Sequence, residues 1–164
     1  MNNAIMPPGE IVIYTDGAAR GNPGPGGLGV VMMYGKHRKE LSEGYRRTTN
    51  NRMELLAVIR GLETLKRDDL KVKIYTDSRY VSDAVNNGWV FSWEAKRFKK
   101  KKNADLWQQF LLLYRKYKVE FVWVKGHASI TENERCDELA VQASLGATLL
   151  EDSGYVENKD DTLI

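Results

Sequence analysis

Cysteine is nearly absent: Cys136 is the only one in 164 residues. An intramolecular disulfide is therefore excluded, and no Cys cluster exists to bind zinc. This usage suits a reducing compartment. Nor is there an apolar run approaching the roughly 18 residues a membrane span needs. The opening MNNAIMPPGE lacks the basic start and apolar stretch of a secretory signal. A cytoplasmic protein is the expectation. Charge of one sign is in small excess only, net +3 with pI near 8.9, which permits a polyanionic partner without demanding one. What remains is ordinary for a globular chain: 42% hydrophobic and 29% charged residues, in a length that makes one domain with a proper core.

Residues 1–9, with Pro7, Pro8 and Gly9, read as a flexible leader. Ile11-Val12-Ile13-Tyr14 is β-branched and aromatic, predicting a strand that ends in a turn at Asp16-Gly17. The Gly/Pro run RGNPGPGG at 20–27 predicts an irregular loop. Strands follow near 28–34 and 39–46, joined around Gly35-Lys36 as a meander with His37 on its turn. The period then changes: Leu55, Val58, Ile59, Leu62 and Leu65 fall at helical spacing. Lys71–Thr76 predicts a strand, and Asp77-Ser78 can start a helix. Residues 104–117 predict a helix with Leu106, Phe110, Leu113 and Tyr117 on one face; 119–124 predict a strand; Cys136, Leu139, Ala140 and Ala143 mark a last helix. A meander followed by alternating strands and helices gives an α/β domain, residues 10–150. The connections within 77–118 are long enough for crossovers, so the later strands should run parallel to the first. Residues 151–164 hold Glu151, Asp152, Glu157, Asp160 and Asp161 against one Lys159, and read as an acidic, mobile tail.

Four carboxylates invite comparison, and each has an ordinary explanation. Asp16 precedes Gly17 as in many turns. Glu54 lies three residues after Asn51, the spacing of a capping box. Asp77 could cap the helix after its strand. Asp137 could lie on a solvated helix face. Taken together they read differently. Asp16 and Asp77 fall at the C-terminal ends of strands expected to be parallel, where open α/β sheets bind ligands. Glu54 and Asp137 lie early in helices that can face the same edge. Carboxylates gathered there would repel one another without a cation. Hard oxygen donors suit Mg²⁺ or Mn²⁺, and two such ions about 3.5–4 Å apart can clamp a phosphodiester in hydrolysis.

The strings YTDGAARGNPGPGG (14–27), TTNNRMEL (48–55), YTDS (75–78) and VKGHASITENERCDELA (124–140) together resemble the signature of the type 1 ribonucleases H, the bacterial ribonuclease HI family. The resemblance spans roughly residues 10–145. It implies a ribonuclease H-like fold: a five-stranded mixed sheet, second strand antiparallel, with helices on both faces. It implies a sequence-independent endonuclease that hydrolyses the RNA strand of RNA–DNA hybrids by a two-metal-ion mechanism, leaving 3′-hydroxyl and 5′-phosphate ends. Asp16, Glu54, Asp77 and Asp137 match the family's metal-binding carboxylates, holding two Mg²⁺ ions with Mn²⁺ able to substitute. His127 matches a histidine that assists proton transfer or product release, in a loop that Gly126 makes mobile.

The same resemblance assigns the substrate contacts. Asn22, Asn50 and Asn51 match residues on the RNA strand, where an amide can both donate to and accept from a 2′-hydroxyl. Arg47, Thr49 and Asn103 match a grip on one DNA phosphate, and Trp89 and Trp93 match aromatics that lie against deoxyribose. Trp107 reads instead as core. The segment KRFKKKK, with Lys96, Arg97, Lys99, Lys100, Lys101 and Lys102 basic, resembles the family's basic handle in a shortened form. Arg79 stands where relatives often carry a neutral residue and is a candidate contact to RNA backbone. A monomer without an obligate protein partner is expected. Other nucleases share this fold, as would a non-catalytic hybrid-binding module. The asparagines of TTNNRMEL and the Trp-plus-basic handle favour the hybrid-specific enzyme, and four occupied acidic positions disfavour the inert module.

Overall fold

Strand β1 (Glu10–Ala19) alternates between two environments, with Ile11 and Ile13 facing one core and Tyr14 facing another, the period expected of a central strand. The computed structural model describes residues 9–126 and 131–156. After β1 come β2 (Gly24–Tyr34), β3 (His37–Thr48), α1 (Asn50–Glu63), β4 (Lys71–Thr76), α2 (Arg79–Asn86), α3 (Trp89–Ala95), α4 (Ala104–Lys116), β5 (Lys118–Trp123) and α5 (Thr131–Ser144). The five strands form one sheet in the order β3-β2-β1-β4-β5. The β1–β2 and β2–β3 pairs are antiparallel; β1–β4 and β4–β5 are parallel, as the long crossovers require.

The two faces are unequally covered. Helix α1 packs its buried stripe of Met53, Leu55, Leu56, Ile59 and Leu62 over Ile13, Val30 and Ile74. Trp107 and Phe110 of α4 are fully buried in that same core, as the sequence indicates for Trp107. On the other face α5 seals a smaller cluster of Val31, Cys136 and Leu139. Burial raises the Cys136 thiol far above its usual range, leaving it a packed, unreactive group.

Three local expectations are corrected. Asp16-Gly17 is no turn: β1 runs on to Ala19, paired residue for residue with β2 from Asp16↔Gly29 to Ala19↔Gly26. Residues 24–27, expected to be loop, belong to β2. Gly27, and Gly29 beyond it, answer to α5, which lies directly on the strand. A Cβ on Gly27 would come within 2.0 Å of the Ala140 carbonyl oxygen, and one on Gly29 within 2.2 Å of that of Cys136. Glycine here permits close approach of two backbones, whereas the sequence presents it as punctuation.

The acidic end is the third correction. Its first residues, Glu151 and Asp152, are docked on the domain rather than free. Leu150 donates to the Gly44 carbonyl at 2.8 Å and accepts from Arg46 at 2.9 Å. Glu151 pairs with Arg46 at 2.7 Å, and Asp152 pairs with buried Arg52. Local composition suggested a tail because the cations that hold it lie about a hundred residues away. Residues 1–8, 127–130 (with His127) and 157–164 fall outside the described residues. Among the described residues, no helix is long and apolar enough to cross a membrane.

Candidate active site

The parallel pairing of β1 and β4 ends at Tyr14↔Tyr75, whose rings stack with centroids 4.9 Å apart. Two residues past that last pair stand Asp16 and Asp77, at matching heights on neighbouring strands. Glu54 arrives from α1. Thr49, not Asn51, caps that helix, its hydroxyl accepting from Arg52 N at 3.3 Å. Glu54 thus lies beyond the capping-box position and turns inward. Ser78, not Asp77, caps α2 by accepting from Val81 N at 3.2 Å, which leaves the Asp77 carboxylate for other work.

Helix α1 crosses β1 at Gly17 so closely that a Cβ there would lie 2.4 Å from the Met53 carbonyl carbon. That approach lets the Gly17 amide donate both to Asp16 Oδ1 at 2.9 Å and to Glu54 Oε1. Carboxylate oxygens of Asp16, Glu54 and Asp77 all lie within 4.8 Å of one another, Glu54 buried and the two aspartates half-buried. Asp137 is exposed on α5 and outside this group of three. Its charge nevertheless reaches Asp16, so the fourth carboxylate stands at the rim.

Crowding shows in the protonation. Burial lifts Asp16 to about 7; the Asp77 and Asp137 charges add to the rise, and a hydrogen bond from Glu54 opposes it. Glu54 is raised well above the usual carboxylate range by burial and by the charge of Asp16. Without a cation the pair holds extra proton, the usual consequence of carboxylates sharing a site. The donor set is all oxygen, compact, and sealed on the Glu54 side but open on the aspartate side. That fits a hard divalent cation that keeps part of its coordination for water and substrate.

Around this centre the other predicted residues fall into two groups. Asn22 Oδ1 accepts from Asn50 N at 2.9 Å, and Asn50 Oδ1 accepts from Ala19 N at 2.6 Å. These bonds tie the β1–β2 connection to the start of α1, where Asn51 is exposed. Trp89 is 50% exposed at the start of α3. Trp93 is half-buried edge-on to Trp107, with the Lys101 ammonium 4.9 Å over its ring. The basic segment forms no helix. Arg97, Phe98 and Lys100 have positive φ, and Phe98 is buried beneath it as an anchor. Thr49 and Asn103 are both bonded to Arg52, and Arg47 is exposed near the end of β3.

Two features escaped sequence reasoning. Arg52 is 2% exposed, paired with Asp105 and Asp152. The available signal was a charged residue on the inward stripe of α1, three and seven positions before Leu55 and Ile59. The Arg79 guanidinium sits over the Trp123 ring, 3.8 Å from its centroid, and the Trp123 indole donates to the Asp77 carbonyl at 3.0 Å. The candidate RNA contact is thus stacked beside the carboxylates.

An α/β sheet with one antiparallel meander and a carboxylate nest at the mouth of its central parallel strands defines a class: proteins built to hold divalent cations against a ligand at that edge. The family model for RNase H matches residues 8–145. The ribonuclease H of Syntrophus aciditrophicus is 53% identical, covering 91% of this chain and 88% of its own length. That of Desulforamulus reducens is 58% identical over 82% of this chain and 87% of its own. Among solved structures, LC9-RNase H1, described as a type 1 RNase H with the type 2 active-site motif, superposes with TM-score 0.76 at 31% identity, covering 96% of this chain and 81% of that one. LC11-RNase H1, solved in complex with an RNA/DNA hybrid, gives TM-score 0.61 at 31% identity over 80% of this chain and 94% of its own. The chain belongs to the ribonuclease H family, the endoribonucleases that cleave RNA paired to DNA.

Proposed function

We propose that this chain cuts the RNA strand of RNA–DNA hybrids endonucleolytically, without sequence preference, leaving 3′-hydroxyl and 5′-phosphate ends. Asp16, Glu54, Asp77 and Asp137 would hold two Mg²⁺ ions, or Mn²⁺, which supply an acidified water and stabilise the departing 3′ oxygen. Gly17 fixes the orientation of Asp16 and Glu54 through its amide, and the stacked Tyr14–Tyr75 pair keeps β1 and β4 at a set separation beneath them. His127 would receive or return a proton, or help product leave.

Strand discrimination follows from chemistry around the centre. The oxygens of Asn22 and Asn50 are engaged by backbone amides, so their Nδ2 groups remain to donate to a ribose 2′-hydroxyl. Asn51 beside them is free to accept. On the DNA side Arg47, Thr49 and Asn103 would grip one phosphate. Trp89 and Trp93 present flat apolar surface to a sugar that lacks the 2′-hydroxyl. Lys96 to Lys102 add phosphate contacts, which makes binding salt-sensitive.

The carrying observation is the meeting of Asp16, Glu54 and Asp77 within 4.8 Å at the mouth of β1 and β4. The test is digestion of an end-labelled hybrid, duplex DNA and duplex RNA, with and without Mg²⁺, reading the product ends. Only the hybrid should be cut, and only with the metal. Asp77→Asn should lower kcat by at least about 100-fold while hybrid binding in a gel-shift assay persists. A variant that cleaves normally would overturn the metal assignment.

A further inference from the structure

Arg52 is placed next to two proposed phosphate ligands, yet it has no hydrogen left to give. Its Nε and Nη2 donate to Asp152 at 2.7 and 3.0 Å; its Nη1 and Nη2 donate to Asp105 at 2.8 and 2.7 Å; its Nη1 also donates to Asn103 Oδ1 at 3.3 Å. That uses all five N–H groups of a guanidinium. Two carboxylates outweigh its single charge, so electrostatically this cluster opposes rather than attracts a phosphate. Its contribution has to be geometric.

The geometry it fixes is that of Asn103. Asn103 opens α4 in the left-handed region, φ 64. Its amide is held at both ends: Oδ1 by Arg52, and Nδ2 by the Tyr80 hydroxyl at 3.0 Å, which also accepts from Trp107 Nε1 at 2.8 Å. One N–H of Nδ2 is left, pointing where those two bonds dictate. Thr49 Oγ1 accepts from the backbone N–H of Arg52 as the cap of α1, a bond that does not involve the guanidinium. Asp152, a hundred residues away in sequence, steadies the guanidinium fork and accepts from Thr48 Oγ1 at 2.7 Å. The planar fork transmits orientation: with Asp152 gone, it can turn about Asp105 and release Asn103.

We infer that the docked segment Leu150–Asp152 is a positioning element of the DNA-strand site: Asp152, acting through the Arg52 guanidinium, aims the remaining amide donor of Asn103 at a DNA phosphate. This rests on the reading above that Asn103 meets such a phosphate. Neither Asp152 nor Arg52 touches substrate.

The test uses hybrids whose DNA strand carries one neutral methylphosphonate linkage, moved one position at a time. In the unsubstituted protein one position should lower kcat/KM by about tenfold, the loss of a hydrogen bond to a charged group. Asp152→Asn should raise KM on the unmodified hybrid severalfold, leave kcat at saturation largely intact, and reduce the penalty at that position to near one. Simple electrostatics predicts the opposite, since removing a negative charge should tighten phosphate binding. Should thermal melting show Asp152→Asn unfolded at the assay temperature, Tyr80→Phe, which frees the other end of the Asn103 amide, is read the same way. A folded variant that keeps the full methylphosphonate penalty overturns the inference and leaves the site assignment standing. A flat profile in the unsubstituted protein overturns the site assignment and the inference with it.

Discussion

Asp16 ionises under constraint. Its carboxyl is lifted from an ordinary 3.8 to about 7 by burial, reinforced by Asp77 and Asp137. The folded value lies above the unfolded one, so between about pH 4 and pH 7 the metal-free folded state binds more protons than the unfolded state. Metal-free stability from this group therefore falls as pH rises through that window. Glu54 is shifted in the same direction. A cation must displace those protons, so metal affinity should do the reverse, strengthening from pH 5 to pH 7 and levelling above. Thermal melts with and without Mg²⁺ check this: the ion should raise the melting temperature more at pH 8 than at pH 5.5. An equal rise at both would show that no buried carboxyl proton is exchanged for metal. At this scale the sequence was legible as to which residues matter but not as to what each does locally. Asp16, Glu54 and Asp77 each matched an ordinary local motif that none of them fills. Thr49 and Ser78 are the caps, and pairing to β2 replaces the turn at Gly17.

Elements show where composition misleads. Residues 24–27 read as loop because glycine and proline usually mark loops; here they lie in β2, and Gly27 with Gly29 is the surface on which α5 rests. Gly29→Ala would put its Cβ 2.2 Å from the Cys136 carbonyl oxygen and 2.8 Å from the Leu139 Cβ. Helix α5 has to retreat, at a cost of about 1–3 kcal/mol for overpacking a tight contact. Asp137 follows Cys136 on that helix, so the same retreat carries the rim carboxylate outward. Lower stability in denaturant melts should therefore be accompanied by lower kcat at fixed Mg²⁺, partly restored by raising the Mg²⁺ concentration. The helical pattern of α1 and α4 and the strand patterns at β4 and β5 were readable, because long amphipathic stretches record which side faces the core. The short helix α3 and the fold-back over Phe98 were not. Seven residues and a run of left-handed turns leave no periodic trace.

Across the whole molecule, the carboxylates gather at the mouth of the central strands β1 and β4, while the basic residues of 96–102 cluster in the turns after α3. A modest net charge of +3 thus hides a local separation of sign. Replacing both Lys99 and Lys100 with Ala should weaken hybrid binding about equally for unrelated sequences. The slope of log affinity against log salt should shrink by roughly one for each phosphate the shortened handle no longer neutralises. Binding titrations between 50 and 200 mM salt, on the order of the range in which counterion release is readily seen, check it. An unchanged slope would place the handle away from the phosphates. The C-terminal acidic stretch belongs to this scale too. It resembled a tail because nothing nearby in sequence pairs with it, yet Asp152 is bonded to Arg52 and Thr48.

By itself the sequence determined the order of the five strands and the longer helices, the two periodicities that assign them inner faces, and the identity of the acidic and amide side chains that suit divalent ions and a ribose hydroxyl. These are properties of residue type and spacing, which a linear string contains in full. Only the tertiary structure decided which carboxylates meet, that Asp137 stands at the rim, that α5 sits on glycine, and that Asp152 locks Arg52 in place. Each of those depends on through-space distance between segments far apart along the chain, set by the packing of helix on sheet, and no local rule encodes it.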